Sequence, residues 1–314
     1  MLTRRHIRVK VMQSIYALIQ SKDDSLQKQE KFLKVSIENT YTLYLLWLSL
    51  FVEIQKRAAD QISLSANKYI SDKKQEFPNP NKFIQNRLLL QMVNNAKLTE
   101  ELNHRKLDNW YLNEEYVKLI YKEIIESEAY QEYMSKSESD YASDKELIMT
   151  LFKTIFAPNE KIYDYFEDDK LTWVDDIPIV NTFLLKHLKK AKQVHPESYF
   201  LPSLMKDDDD MQYAMQLLSR TLLKNEALEK EIEGKTPNWD KDRIAEIDSI
   251  LLKMAICELL HFPSIPERVT INEYLEIAKE YSTPKSSIFI NLLKNIKQKE
   301  SLTKWVGVYY KNIL

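Results

Sequence analysis

Only two glycines, Gly234 and Gly307, occur in 314 residues. Phosphate-cradling loops, dinucleotide-binding turns and tight β-hairpins all need backbone positions that glycine alone fills easily. Nucleotide-binding α/β folds and most all-β folds are therefore excluded. Cysteine is almost as scarce. Cys257 is the single one, so no disulfide can form within the chain. It falls in an apolar stripe with only His261 nearby, which fits a small buried side chain rather than a nucleophile. The five histidines (His6, His104, His187, His195 and His261) show no metal-ligand spacing, and no Ser/His/Asp or Cys/His set suggests a catalytic centre. Long hydrophobic runs are missing too. The most apolar stretch, Tyr41 to Ile54, falls short of the roughly twenty residues that a bilayer demands. No signal peptide precedes the first helix, and a cytoplasmic protein without membrane contact, metal or cofactor is expected.

Leu, Lys, Glu, Ile and Gln in long periodic runs instead predict an all-α protein. With 44 % hydrophobic and 29 % charged residues, the chain can fill one large core or two modest ones. A formal net charge of -2 conceals a strong asymmetry. Met1 to Lys22 holds Arg4, Arg5, Arg8, Lys10 and Lys22 without an acid, and six lysines face only Glu300 from Lys285 onward. Glu126 to Asp176 carries fourteen acids against five lysines. Such basic ends can bind phosphate even though the whole chain is near neutral. The run Asp207 to Asp210 invites a metal reading, but consecutive helical residues point in different directions. Acids in a helix's first turn, favoured by its dipole, explain the run more simply, and the same holds for Asp168-Asp169 and Asp175-Asp176.

Periodicity places a first helix from about Thr3 to Gln20, burying Ile7, Val11, Ile15, Leu18 and Ile19. Its early arginines oppose the helix dipole by a few tenths of a kcal/mol each, so something beyond helix stability must retain them, unless Met1 to Arg5 is a frayed tail. One or two long helices follow between Leu26 and Ile70, buried on most of their surface around Trp47 to Phe51. After a break at Phe77 to Asn81, a helix runs from Lys82 to Leu102. Ser143 with Glu146 predicts a capping box, Asp175 to Lys192 another helix, and Met211 to Glu233 a helix in two pieces. Ile244, Ile247, Leu251, Met254, Ala255 and Leu259 form the next stripe, closed by Pro263 and Pro266. A further helix is expected to start at Thr270, boxed by Glu273, and a last one at Thr283-Pro284.

The order Trp239, Arg243, Asp248, Ile250 to Lys253, Ala255, Glu258-Leu259, Ile265-Pro266, Val269, Ile271 to Lys279 and Phe289-Ile290-Asn291 resembles the C-terminal half of the bacterial NusB antitermination factors. Thr3 to Ala17 is similar to the opening helix of that family, with Arg4, Arg5 and Arg8 as its arginine cluster, Gln13 as its glutamine, and Ile15-Tyr16 as its apolar-aromatic pair. The resemblance covers about residues 3–22 and 211–297. It implies a NusB-like helical bundle with a large additional helical region: first helices at 1–60, an insertion of unknown role at 61–205, and a C-terminal helical domain at 206–314.

By the same resemblance, the chain is a non-enzymatic antitermination factor. It would bind a boxA-like element of nascent ribosomal RNA together with ribosomal protein NusE, within an antitermination complex on RNA polymerase, promoting rRNA synthesis. The implied RNA-binding residues are Arg4, Arg5, Arg8, Gln13, Tyr16, Lys285, Phe289 and Asn291. Guanidinium forks suit phosphate and unpaired bases, and Gln13 could read a base edge. Tyr16 offers either a stacking face or core packing. The pattern departs from the family in three places. No glycine follows Asn291, Ser249 stands where a basic residue is usual after the aspartate, and Lys253 replaces the usual arginine, keeping the charge without the planar fork. Arg243, Asp248 and Glu258 suit helix-to-helix pairing as well as a partner contact. An RNA cytosine methyltransferase lacks its glycine-bearing cofactor fold here, whereas a protein adaptor without RNA binding stays open.

Overall fold

The computed structural model describes residues 1–21, 25–67, 77–207, 209–233 and 246–282. Every regular element among them is helical. The chain divides into two compact units, one formed by residues 1–37 and 205–314 and the other by residues 38–204.

Helix α1 (Arg4–Ser21) is followed by α2 (Leu26–Asn67), a single helix of 42 residues. Next come α3 (Arg87–Val93), α4 (Ala96–His104), α5 (Asn109–Leu112), α6 (Glu114–Glu126), α7 (Glu128–Ser135), α8 (Tyr141–Leu151), α9 (Glu160–Asp169) and α10 (Asp176–Lys190). A π-helical turn at Phe152–Phe156 continues α8, and short 3-10 turns lie at Leu171–Trp173 and Glu197–Phe200. Then follow α11 (Asp209–Leu223), α12 (Asn225–Glu233), α13 (Glu246–His261) and α14 (Glu267–Tyr281).

The second unit is built around the aromatic stretch of α2. Leu43 through Leu48 are almost wholly buried, the all-round burial that their apolar density implies. Trp47 meets Phe152 edge-on at 5.4 Å between centroids and Phe166 at 5.1 Å, while Phe51 stacks on Phe156 at 4.7 Å. Phe166 in turn meets Trp173 at 5.7 Å. Each such pair adds about 0.5–1.5 kcal/mol beyond the area it buries. The indole N–H of Trp110 donates to the Leu46 carbonyl at 2.9 Å, and that of Trp173 to the Asn39 carbonyl at 2.8 Å. Both rings thus enter the core with their donors satisfied.

Two local expectations give way to better caps. The helix predicted over Lys82 to Leu102 is two helices. The Asn86 carbonyl Oδ1 accepts from the amides of Leu88 and Leu89 at 3.0 and 3.1 Å, and Asn95 Oδ1 accepts from Leu98 at 2.8 Å, so each asparagine begins a helix. Asp140, not Ser143, caps α8. Its carboxylate accepts from the Ser143 amide at 2.7 Å while Ser143 Oγ takes the Asp140 amide at 2.9 Å, leaving Glu146 outside the box. These hydrogen bonds from Ser143 hold the Asp140 carboxyl below its ordinary range.

Trp173→Ala removes a wholly buried indole that spans the Phe166 contact and the Asn39 carbonyl. It should destabilise the protein by about 3–5 kcal/mol, read as a lower urea midpoint at unchanged protein concentration.

Candidate nucleic-acid interface and the buried ion pair behind it

The first unit gathers α1, α11, α13 and α14 on one carboxylate. Glu258, on α13, is fully buried and takes both prongs of the Arg8 fork from α1, Nε to Oε2 at 2.9 Å and Nη2 to Oε1 at 2.6 Å. Tyr213 from α11 donates its hydroxyl to Oε2 at 2.6 Å, Thr270 from α14 donates to Oε1 at 2.7 Å, and Tyr274 reaches Oε2 at 3.3 Å. The Arg8 guanidinium lies 5.6 Å from the Tyr213 ring centre and 5.7 Å from that of Tyr274. Burial alone would raise the Glu258 carboxyl, but the Arg8 hydrogen bonds and charge, with Tyr213 and Thr270, hold it below its ordinary value. Burial likewise opposes the Arg8 charge, and Glu258 overrides it, so the guanidinium stays charged. Burial pushes the hydroxyls of Tyr213 and Tyr274 far up, which fixes both as donors.

Arg8, expected as a phosphate contact, is therefore an interior cation with 2 % of its side chain exposed. Its fork is occupied, and a phosphate could reach it only by opening the helix packing. Thr270 is corrected by the same geometry. α14 starts at Glu267 behind Pro266, so Thr270 sits one turn inside the helix and serves Glu258. Glu273, expected to close that box, instead binds Arg5.

Arg4 and Arg5 remain at the surface. Arg5 forms a two-pronged pair with Glu273 at 2.8 and 2.9 Å, and Arg4 Nε donates to Asp210 at 2.9 Å with its guanidinium 5.1 Å from the Tyr213 ring centre. Their side chains are 41 % and 43 % exposed; water screens the Arg5–Glu273 pair, which is worth little to stability, whereas Arg4 compensates a buried carboxylate. The Arg5 hydrogen bonds hold Glu273 below its ordinary range. An incoming phosphate would meet two half-exposed forks whose carboxylate partners must be exchanged rather than two empty ones. Gln13 is half-buried further along α1. Tyr16 is 40 % exposed, which leaves part of its ring open to a stacking base. Within the predicted hydrophobic side of α1, Ile7, Val11 and Ile15 are buried but Ile19 is 41 % exposed.

Lys285, Phe289 and Asn291 lie outside the described residues, as do Trp239, Arg243, Ile244 and the helix expected after Thr283. Asp210 is buried in the first turn of α11 as the partner of Arg4, which gives this one acid of the run an ion-pair role. The acids Glu258, Asp210 and Glu273 were the functional neighbours that residue pattern did not connect to α1. The signal was there in the arginines placed against the α1 dipole, which require carboxylates from elsewhere. Cys257 is buried, and that burial pushes its thiol up to about 11, far from reactive. No group of His, Cys, Asp and Glu able to hold a metal occurs among the described residues, and none of their helices is long and apolar enough to cross a membrane.

Comparison with known proteins joins these helices to a family. A transcription antitermination protein NusB of Methylacidiphilum infernorum is 36 % identical over 102 residues, a stretch that covers 32 % of this chain and 71 % of that protein. The chain belongs to the NusB family. The NusB family model itself matches residues 184–297. The NusB proteins of Salinibacter ruber and Geotalea daltonii are 43 % and 39 % identical over 88 and 90 residues, 28 % and 29 % of this chain. Those matches span 55 % and 62 % of the two proteins, less than two thirds of either. No solved structure matches. The region matched by the NusB model contains Glu258, Thr270 and Glu273 but stops short of α1, and it is the ion pairs from Arg4, Arg5 and Arg8 that bring α1 onto it.

Arg8→Ala leaves Glu258 buried without its cation and should cost about 3–5 kcal/mol of stability at neutral pH. The sign of the pH dependence follows from the depressed Glu258 carboxyl. Its contribution is present above the unfolded carboxylate value near 4.3 and is lost as pH falls through the lower folded one. Urea titrations from pH 7 to 3 should therefore show a steeper acid loss in the parent than in Arg8→Ala. A parallel loss would rule out this pair as the source.

His261 gives a second window. Burial, then the charges of Lys224 and Arg220, depress its imidazole to about 4, and the Lys224 ammonium lies 3.1 Å from Nε2. The unfolded chain takes up this proton first, so stability should fall as pH drops from about 6.5 towards 4. His261→Gln should flatten that part of the profile in the same titration.

Proposed function

We propose that this NusB-family chain is a non-catalytic transcription antitermination factor. It binds a boxA-like single-stranded element of nascent ribosomal RNA together with ribosomal protein NusE, in an antitermination complex on RNA polymerase, and so promotes rRNA transcription. The observation that carries the reading is the pair of half-exposed guanidiniums, Arg4 and Arg5, at the start of α1, anchored on the part of the chain that matches the NusB family. Tyr16, open on the same helix, supplies a face for base stacking. Lys285, Phe289 and Asn291 are proposed as further RNA contacts from the basic C-terminal end.

Opposing carboxylates favour one other reading. Every arginine in the α1 cluster is bound to an acid, which lowers the positive field that would draw RNA. A protein adaptor on the same fold would need no such field.

Fluorescence anisotropy of a labelled boxA-like RNA, with and without NusE at two salt concentrations, separates the two. Salt-sensitive binding that tightens with NusE supports antitermination. In that case Arg4→Ala/Arg5→Ala should weaken binding and reduce the logarithmic salt slope by roughly 1.4, about 0.7 per lost phosphate contact on a single strand. Glu273→Gln, which removes the carboxylate competing for Arg5, should tighten it. If NusE associates and RNA stays unbound, the adaptor reading stands instead.

A further inference from the structure

The first turns of α2 present a surface that the α1 arginines do not explain. Gln29, Leu33, Ser36 and Ile37 are buried, while Lys28, Lys31, Phe32 and Val35 occupy the opposite, exposed face, with exposed Lys34 at its edge. A 100° advance per residue puts Lys28, Lys31, Phe32 and Val35 within about a third of the helix circumference. Phe32 is 39 % and Val35 44 % exposed. The first turn of α2 contains no acid. Lys31 and Lys34 have no acidic partner among the described residues, in contrast to Arg4, Arg5 and Arg8.

Two features of this face work against the isolated protein. Lys28, in the first turn of α2, opposes the helix dipole, and Phe32 keeps apolar area in water. A polyanion with flat apolar groups answers both. Phosphates neutralise the ammoniums, and an unpaired base covers the ring. Ile15, Leu18 and Ile19 of α1 line one cavity with Leu26 of α2, so the two helices lie side by side where α2 begins.

We propose that the α2 face of Lys31, Phe32, Lys34 and Val35, with Lys28, binds single-stranded RNA, Phe32 stacking on a base and the lysines contacting the flanking phosphates. The inference rests on the RNA-binding reading above and extends its site from α1 onto α2. Lys31 and Lys34 are not neutralised by acidic partners among the described residues as the α1 arginines are, so this face would make the first electrostatic contact.

The test compares the full chain with Phe32→Ala and with Lys31→Gln/Lys34→Gln, using the labelled boxA-like RNA across a salt series. All three changes lie on the solvent side, so circular dichroism and the urea midpoint should stay at the parent values. Phe32→Ala should weaken binding on the order of tenfold with an unchanged salt slope, because stacking involves no counterion. Lys31→Gln/Lys34→Gln should lower the slope by roughly 1.4. Folded variants that bind as the parent does, while Arg4→Ala/Arg5→Ala loses affinity, would overturn the α2 site and leave the RNA-binding reading intact. A parent that binds no RNA overturns both. An acidic amphipathic peptide of Glu and Leu that binds the parent but not these variants, with RNA unaffected by them, would assign the face to a protein ligand and overturn the proposal.

Discussion

A single buried carboxylate holds the first unit in register. Glu258 cannot stay charged in the interior without compensation, because desolvating it costs several kcal/mol. The compensation comes from three other helices, as the Arg8 fork of α1, the Tyr213 hydroxyl of α11, and the Thr270 and Tyr274 hydroxyls of α14. Each donor must arrive at the correct height and rotation. Apolar packing between the same helices is far less demanding, since a hydrophobic stripe tolerates some sliding. The buried pair thus specifies how α1 docks, even where its net contribution to stability against a hydrophobic replacement is small.

Docking fixes the outer arginines as well. Arg4, Arg5 and Arg8 lie within two turns of α1, and once Arg8 is seated on Glu258, Arg4 faces Asp210 and Arg5 faces Glu273. Structure and candidate function are therefore divided by depth along one short basic run. The inner arginine holds the fold. The outer two keep about two fifths of their surface in water, and for Arg5, whose partner Glu273 is itself partly exposed, exchange of a carboxylate for another anion costs little. Glu273 takes part in both layers, bound by Arg5 and 3.8 Å from Arg8 Nη1.

Much of this was legible in residue pattern. Helix content followed from the scarcity of glycine, and the centre of α2 from the density of apolar residues around Trp47. Glu258 was a candidate for helix-to-helix pairing, which is the role it plays. Boundaries were less legible. Asn86, Asn95 and Asp140 took over caps because a good side-chain acceptor close to the first amides competes locally with the expected start, and residue spacing alone does not rank the competitors. Residue type alone left Tyr16 between core packing and an open ring face, and its 40 % exposure is set by tertiary packing. The α2 face was missed because Lys28, Lys31 and Lys34 look like any solvated helical lysines until the burial of Leu33 and Ile37 shows that Phe32 must point outward with them.

The sequence by itself determined the class of fold, the approximate helices and the basic ends, because periodicity, proline and glycine act over a few neighbouring residues. The resemblance to the NusB factors was also carried by motif order alone. Only the tertiary structure decided what the charges do. Arg8 and Glu258 are 250 residues apart, and Arg5 and Glu273 are 268 apart. No local rule relates such positions. Their pairing follows from the docking of α1 against α13 and α14, where leaving Arg8 or Glu258 buried without the other would cost a large fraction of the fold's stability.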